Sequence, residues 1–314
     1  MPIDPLSDVL SVFRVRCTIS AGFSAGAPWG LRFPARNVLK LDAVVRGRCW
    51  LIVPDTDGPV LVEEGDVIVF DGRQPFTLAS DPAVEPVDAH PVFATADRRF
   101  VDLGGGDVSV VGCHVALGSD GDELLLDALP TRLHVHAGTD AASSLRWMLD
   151  QLLREVSAPR IGSATASAQL AQLLFIHVLR AQLADAWSSF PAGLLRALGD
   201  ENLRQALQLM HQDPGHPWKL EELARAAAMS RTTFAQRFKS ASGVPPLTYL
   251  HDWRMSLARR HLRDEDAPIA QIAEAVGYSS DNAFSNAFKR TEGVAPSRYR
   301  QAARSPAVLP AASY

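Results

Sequence analysis

One pattern occurs twice between Lys219 and Arg300, and few architectures accommodate such a repeat. The first copy reads LEELARAAAMSRTTFAQRFKSASGVPPLTY from Leu220 to Tyr249, and the second IAQIAEAVGYSSDNAFSNAFKRTEGVAPSRY from Ile269 to Tyr299. Leu220, Leu223, Ala224, Ala227 and Met229 return 49 positions later as Ile269, Ile272, Ala273, Val276 and Tyr278. Phe234, Phe238, Lys239, Gly243, Pro246 and Tyr249 return 50 positions later as Phe284, Phe288, Lys289, Gly293, Pro296 and Tyr299. One residue is therefore inserted in the second turn, at the pair Ser279 and Ser280.

Each copy predicts a helix, a tight turn and a second helix. Leu220, Leu223, Ala224 and Ala227 fall at i, i+3, i+4 and i+7, a single apolar stripe. Small or left-handed residues follow at Ala228-Met229-Ser230 and at Gly277-Tyr278-Ser279-Ser280. Ser230, and Ser279 or Ser280, suit the N-cap of the next helix. Gly243 and Gly293 suit its C-terminal end, with prolines just beyond. Two helices joined by a short turn make a helix-turn-helix unit.

In the second helix of each copy the phenylalanines are four residues apart and must face the core. The opposite side then carries Thr232, Gln236 and Lys239, flanked by Arg231 and Ala235. In the second copy it carries Asn282, Asn286, Lys289 and Arg290, with Ser285 on the flank. Amides bond adenine bidentately, hydroxyls bond either partner, and Lys or Arg take phosphate or guanine. A lone polar helix face is commonly just solvated; two in one register point to double-stranded DNA.

These motifs resemble the AraC/XylS family of bacterial transcription regulators. The resemblance covers about residues 200–300 and rests on PWKLEELA, MSRTTFAQRFK, GVPPLTYLHDWRM, IAEAVGYSSDNAFSNAFKR and GVAPSRYR. It implies a seven-helix domain whose two recognition helices enter successive major grooves of promoter DNA. The base readers it implies are Thr232, Ala235 and Gln236 in one helix and Asn282, Ser285 and Asn286 in the other. Two residues depart from the pattern: Ala235 has no hydrogen-bonding side chain, and Asn286 stands where many members carry Arg. The resemblance also implies contact with RNA polymerase, activation of transcription, and control by a small-molecule or redox effector.

Between the copies, residues 247–263 read as one long helix with Leu250, Trp253, Leu257 and Leu262 inward. Arg254, Arg259, Arg260 and Arg263 are expected to be more exposed, as phosphate clamps or solvated charges.

Charge is unevenly distributed. Residues 200–314 hold 15 Lys+Arg against 12 Asp+Glu, whereas the rest holds 16 against 23. The first half is thus too acidic to bind nucleic acid by itself. No run of about 18 apolar residues predicts a membrane span. The start, MPIDPLSDVL, lacks a basic n-region and a long apolar stretch, so a cytoplasmic protein is expected.

The first half predicts a different class of structure. After a short amphipathic segment (Leu6, Val9, Leu10, Phe13), strands are expected at 38–45, 49–53, 59–63, 66–70 and 107–117, separated by Gly, Pro and Asp clusters. Short, closely spaced strands suit a β-sandwich or barrel. RGRCWLIV, PVLVEEGDVIVFDGRQPFTL, WGLRFPA and LLLDALPTRLHV resemble the cupin-like barrel at the N-terminus of one AraC-type subgroup. The fold class expected is therefore α+β in two domains. A cupin-like β-barrel spans 1–139, a helical linker or dimerisation region 140–186, and an interdomain linker 187–199. A double helix-turn-helix domain follows at 200–304, then a tail at 305–314.

A cupin invites the alternative of a metalloenzyme fused to a DNA-binding tail. Asp42 and Phe76 stand where related barrels often carry His, and Phe cannot ligate a metal. No catalytic residue, metal site or cofactor is expected on that count. His134 and His136 alternate on a possible strand and read as ordinary polar residues near a domain edge. Cys17, Cys49 and Cys113 read first as small buried hydrophobes and, alternatively, as a thiol sensor in which His114 activates Cys113. Helices expected at 140–155 and 164–184 either cover the barrel or form the seam of a homodimer, the reading the resemblance favours, and His177 reads as a core residue.

Overall fold

The computed structural model describes residues 4–36, 38–54, 58–94, 100–117, 125, 127–137, 142–158, 160–185 and 187–304. The expected tail, 305–314, lies outside them, as do residues 124 and 126 of LLLDALP. The chain divides into two compact units. One comprises residues 15–117 and 129–185, the other residues 4–14, 125, 127–128 and 187–304.

The first unit is built on eleven strands among the described residues: β1 (Arg16–Ala25), β2 (Gly30–Phe33), β3 (Leu39–Arg46), β4 (Arg48–Ile52), β5 (Val60–Glu63), β6 (Val67–Phe70), β7 (Phe76–Ala79), β8 (Val87–Asp88), β9 (Phe100–Asp102), β10 (Val108–Ala116) and β11 (Arg132–Val135). They form a six-stranded sheet, β11-β6-β3-β10-β1-β9, and a five-stranded sheet, β5-β4-β7-β2-β8. Pairing is antiparallel except for β1 with β9 and β2 with β8. Both sheets are mixed and, among the described residues, neither closes on itself, so the expected cupin-like barrel is not met as a barrel there. Short alternating strands suit either solution; the choice lies in which edges pair, and alternation does not encode that.

Phe23, Val44, Ile68, Phe70, Val108 and Val110 of the larger sheet meet Leu31, Cys49, Leu51, Val62, Phe76 and Leu78 of the smaller in one core. The larger sheet is also covered on its other face. There α3 (Ala142–Ser157) and α4 (Ser163–Asp185) lie across β1, β3 and β11, burying Leu145, Met148, Leu149, Leu152, Leu174, Phe175, Val178 and Leu179. Strands sandwiched on both faces need no polar side, which is why β6 is buried throughout. The two helices thus spend their apolar stripes on their own sheet, the covering role among the two that the sequence allows. A short α2 (Ala89–Ala94) packs near β2.

The second unit is helical: α1 (Pro5–Val12), α5 (Leu194–Gly199), α6 (Arg204–Gln212), α7 (Leu220–Ala226), α8 (Arg231–Ser242), α9 (Pro246–Asp264), α10 (Ile269–Ala275), α11 (Asp281–Glu292) and α12 (Pro296–Arg304). The N-terminal segment belongs here rather than with the strands. Asp4 caps α1 by accepting from the Ser7 amide, and buried Val9 and Val12 pack toward α6 and α9. The presumed linker also departs from expectation. Phe190, Leu195 and Ala197 are buried, and the Gly193 amide bonds the Ala241 carbonyl, so the stretch 187–199 packs into this unit through those residues. Among the described residues no helix is long and apolar enough to cross a membrane.

Candidate nucleic-acid interface

The helical unit repeats itself to the level of ring geometry. Phe234 and Phe238 are fully buried with centroids 5.6 Å apart, and Phe238 meets Tyr249 edge-on at 5.3 Å and 76°. Fully buried Phe284 and Phe288 are also 5.6 Å apart, and Phe288 meets Tyr299 edge-on at 5.3 Å and 80°. The turns before them match as well. The Met229 amide bonds the Ala224 carbonyl at 2.9 Å, and the Tyr278 amide the Ala273 carbonyl at 2.8 Å. Ser230 Oγ accepts from the Thr233 amide at 3.2 Å and Ser280 Oγ from the Ala283 amide at 3.3 Å. Met229 and Tyr278 are 49 apart and the caps 50 apart, so the inserted residue is Ser279. Gly243 and Gly293 end the helices at φ 81° and 74°, where a side chain would be strained.

With the aromatic rows inward, the opposite faces of α8 and α11 are open. Thr232, Gln236 and Lys239 are exposed and Ala235 is half-buried on one; Asn282, Asn286, Lys289 and Arg290 are exposed and Ser285 is half-buried on the other. Arg231 is also exposed, but its guanidinium rests on Glu221 at 2.8 Å.

Arg237 escaped the sequence reading. It sits between the two faces of α8 and grips buried Asp200 with two hydrogen bonds of 2.7 and 2.9 Å. A signal was available: the matching residue 50 positions on is Ala287, which is buried, so the position points inward. The arginines of α9 also need correction. Arg254 donates to the carbonyls of Pro214 and His216, Arg259 pairs with Glu292 at 3.2 Å, and Arg263 bonds Asp264 at 3.1 Å. Arg254 and Arg259 therefore brace the fold, while the Arg263 bond is to its chain neighbour.

Another group that the sequence reading missed is His211. Its ring stacks on Trp253 with centroids 3.9 Å apart, its Nε2 lies 2.8 Å from the Tyr249 hydroxyl, and its Nδ1 is 3.7 Å from Asp8. Burial holds its pKa below the ordinary histidine value, against the opposing pull of Asp8.

In the strand unit, Lys40 and Asp42 form an ion pair of 3.2 Å with both side chains largely out of solvent. Burial pushes the Asp42 carboxyl up and the Lys40 amine down, each opposed by the other's charge. The ammonium lies 3.7 Å from the centre of the Phe33 ring and 4.9 Å from that of Phe76. Beside them a cleft of about 170 Å³ is lined by Val53, Phe70, Asp71, Gln74, Pro75, Phe76, Thr131 and Arg132.

All three cysteines are buried. Burial raises Cys17 and Cys49 to about 12 and Cys113 well above its ordinary value. His114 is itself pushed down by burial, away from the imidazolium form that would activate Cys113. The packing role fits these surroundings better than the sensing one. His177 is half-buried on α4. His134 and His136 do face one side, and they share it with Asp66.

Comparison with known proteins adds the following. The model of the family described as Cupin matches residues 4–184, and that described as Helix-turn-helix domain matches residues 223–302. An AraC-like transcription regulator of Streptomyces antibioticus is 42% identical over 300 residues, covering 95% of this chain and 99% of the relative. The regulator AlkR of Acinetobacter baylyi is 30% identical over 286 residues, covering 87% of this chain and 91% of its own. Among solved structures, the DNA-binding domain of AdpA in complex with a target DNA aligns at 32% identity and a TM-score of 0.32, over 33% of this chain and 95% of that one.

Proposed function

The chain belongs to the AraC-type DNA-binding transcription regulators, and from that premise we propose how it divides the work. The pairs α7/α8 and α10/α11 act as two helix-turn-helix readers. Thr232, Ala235 and Gln236 meet base edges from α8, as do Asn282, Ser285 and Asn286 from α11. Arg231, Lys239, Lys289 and Arg290 take phosphates. The observation that carries this is the pair of open polar faces, each backed by the same buried Phe-Phe-Tyr arrangement. Buried rings fix the angle of each helix, so the face opposite is presented in a set orientation, as base readout requires.

The strand unit serves as the sensor in this reading. A small effector enters the cleft beside Phe76, where Asp71, Gln74, Thr131 and Arg132 offer polar groups next to the rings of Phe70 and Phe76. Its binding favours one state of the regulator over another, and the regulator acts as an activator that contacts RNA polymerase. A homodimer on paired promoter half-sites is the assembly this family expectation brings.

Binding of the full-length protein to its cognate promoter fragment and to scrambled DNA, at two salt concentrations, tests the division. Gln236→Ala and Asn282→Ala should each cost about 1–3 kcal/mol at the cognate site and relax preference there. Lys239→Ala should weaken both fragments alike and lower the slope of log affinity against log salt by about 0.9. Equal losses on both fragments for all three variants would remove these residues from base reading.

A further inference from the structure

We propose that Asp66, His134 and His136 form a binding site for one divalent transition-metal ion of the zinc class, apart from the positions where related barrels place ligands. Those positions hold Asp42 and Phe76 here. The new group lies where the turn after β5 meets the end of β11. Asp66 Oδ2 is 2.9 Å from His134 Nε2 and 3.6 Å from His136 Nδ1. One ligand atom from each residue falls within 4.8 Å of the others, and no other group among the described residues does this.

Those distances suit an ion. Zinc bonds of about 2.0–2.1 Å at tetrahedral angles place neighbouring ligand atoms about 3.3 Å apart. The two carboxylate-to-imidazole separations lie on either side of that value. The imidazoles already crowd together, with ring centroids 3.9 Å apart. A proton on Nε2 of His134 satisfies one of them, but a second ring aimed at the same oxygen adds little to a plain hydrogen bond. A cation between the three groups uses all of them.

Asp66 is prepared for such a role. Its side chain is 4% exposed. The Ala137 amide fixes Oδ1 at 2.8 Å, and the Glu63 amide reaches Oδ2 at 3.2 Å. Backbone donors of this kind orient a ligating carboxylate. His134 is steadied as well, since Gln182 of α4 donates to its carbonyl at 2.8 Å. His136, with its side chain 64% exposed, leaves room for water or a further ligand on the open side. Two imidazoles and one carboxylate are a donor set for zinc or cobalt rather than calcium or magnesium. An ion here would tie β11 to the turn entering β6 and so stiffen one end of the sandwich.

Full-length protein freed of metal by chelator and dialysis is titrated with Zn²⁺ against a chromophoric competitor, and with Co²⁺ by visible absorption. The expected result is one ion per chain, with d–d bands of a low-symmetry nitrogen/oxygen site and a Tm that rises with Zn²⁺. His136→Ala is the decisive variant, because its exposed ring can be removed without opening the core. It should fold as the parent does, bind at least about tenfold more weakly and lose the Tm response. His134→Gln should lose binding too. No stoichiometric binding by the parent, or equal Zn²⁺ affinity in the parent and His136→Ala, overturns the site; the second outcome would assign the ion to other histidines.

Discussion

Phe238 and Phe288 hold the same place in their copies, buried and edge-on to Tyr249 and Tyr299 at the same 5.3 Å. Two residues earlier, Gln236 and Asn286 differ in length, and Thr232 and Asn282 differ in chemistry. The charges diverge further. Arg231 begins α8 and is held by Glu221, whereas Asp281 begins α11, where a negative charge favours the helix dipole. Burial has kept the two copies alike because each ring is locked by its neighbours. Exposure has let their outer faces separate, so the two helices present different polar groups.

The largest effects test the shared interior. Phe238→Ala and Phe288→Ala should each destabilise the protein by about 3–5 kcal/mol, since each removes a fully buried ring from a packed aromatic row. Urea unfolding followed by tryptophan fluorescence would report both. The equivalence of the two cores breaks if one variant costs less than half as much as the other.

A smaller effect separates the turns. Ala228 and Gly277 occupy the same left-handed position, at φ +53° and +82°. A side chain at Gly277 would lie 2.7 Å from the Gly215 carbonyl oxygen and 2.8 Å from the Arg254 guanidinium, which itself holds that loop. Gly277→Ala should therefore cost about 2–3 kcal/mol, from strain and crowding together. Ala228→Gly relieves a strained alanine, and its effect should stay within about 1 kcal/mol, on the stabilising side. If Gly277→Ala proved harmless in the same unfolding experiment, the second turn would be as open as the first.

Such differences mark what the letters carried and what they did not. Both helical pairs, their caps and their buried faces were legible because a 3.6-residue period and the repeat reinforced each other. β1 was not, although it is the longest strand. Cys17, Ile19, Phe23 and Ala25 keep a two-residue period, but Ser20, Ala21 and Gly22 interrupt the apolar run, and a bulge lies there between Ile19 and Ala21. The roles of Arg254 and Arg259 were hidden too, since an arginine bonded to a distant carbonyl or carboxylate reads like a solvated one. Asp66 could be read as part of a Gly-Asp turn, but its meeting with His134 and His136 spans 68 or more residues and depends on the pairing of β6 with β11. Contacts across that separation are set by topology, which periodicity does not specify.

The smallest effect concerns a place where the first copy can respond to mild acid. His211 bonds Tyr249, the aromatic anchor of that copy, while the residue 49 positions on is Arg260. The folded pKa of His211 lies below the unfolded value of about 6.5, so the unfolded chain binds the extra proton first. Its contribution to stability is then complete above pH 6.5 and is lost as pH falls from there through the folded value. Asp8 opposes the shift, so Asp8→Asn should lower the folded pKa further and deepen the loss of stability between pH 6.5 and 5. His211→Gln has no proton to take up and should flatten that slope, even if it is less stable at pH 7.5. Urea titrations across this range, with parent and both variants compared, would show it. Parallel slopes in all three would mean that His211 is as easily protonated in the fold as out of it, and that acid treats the two copies alike.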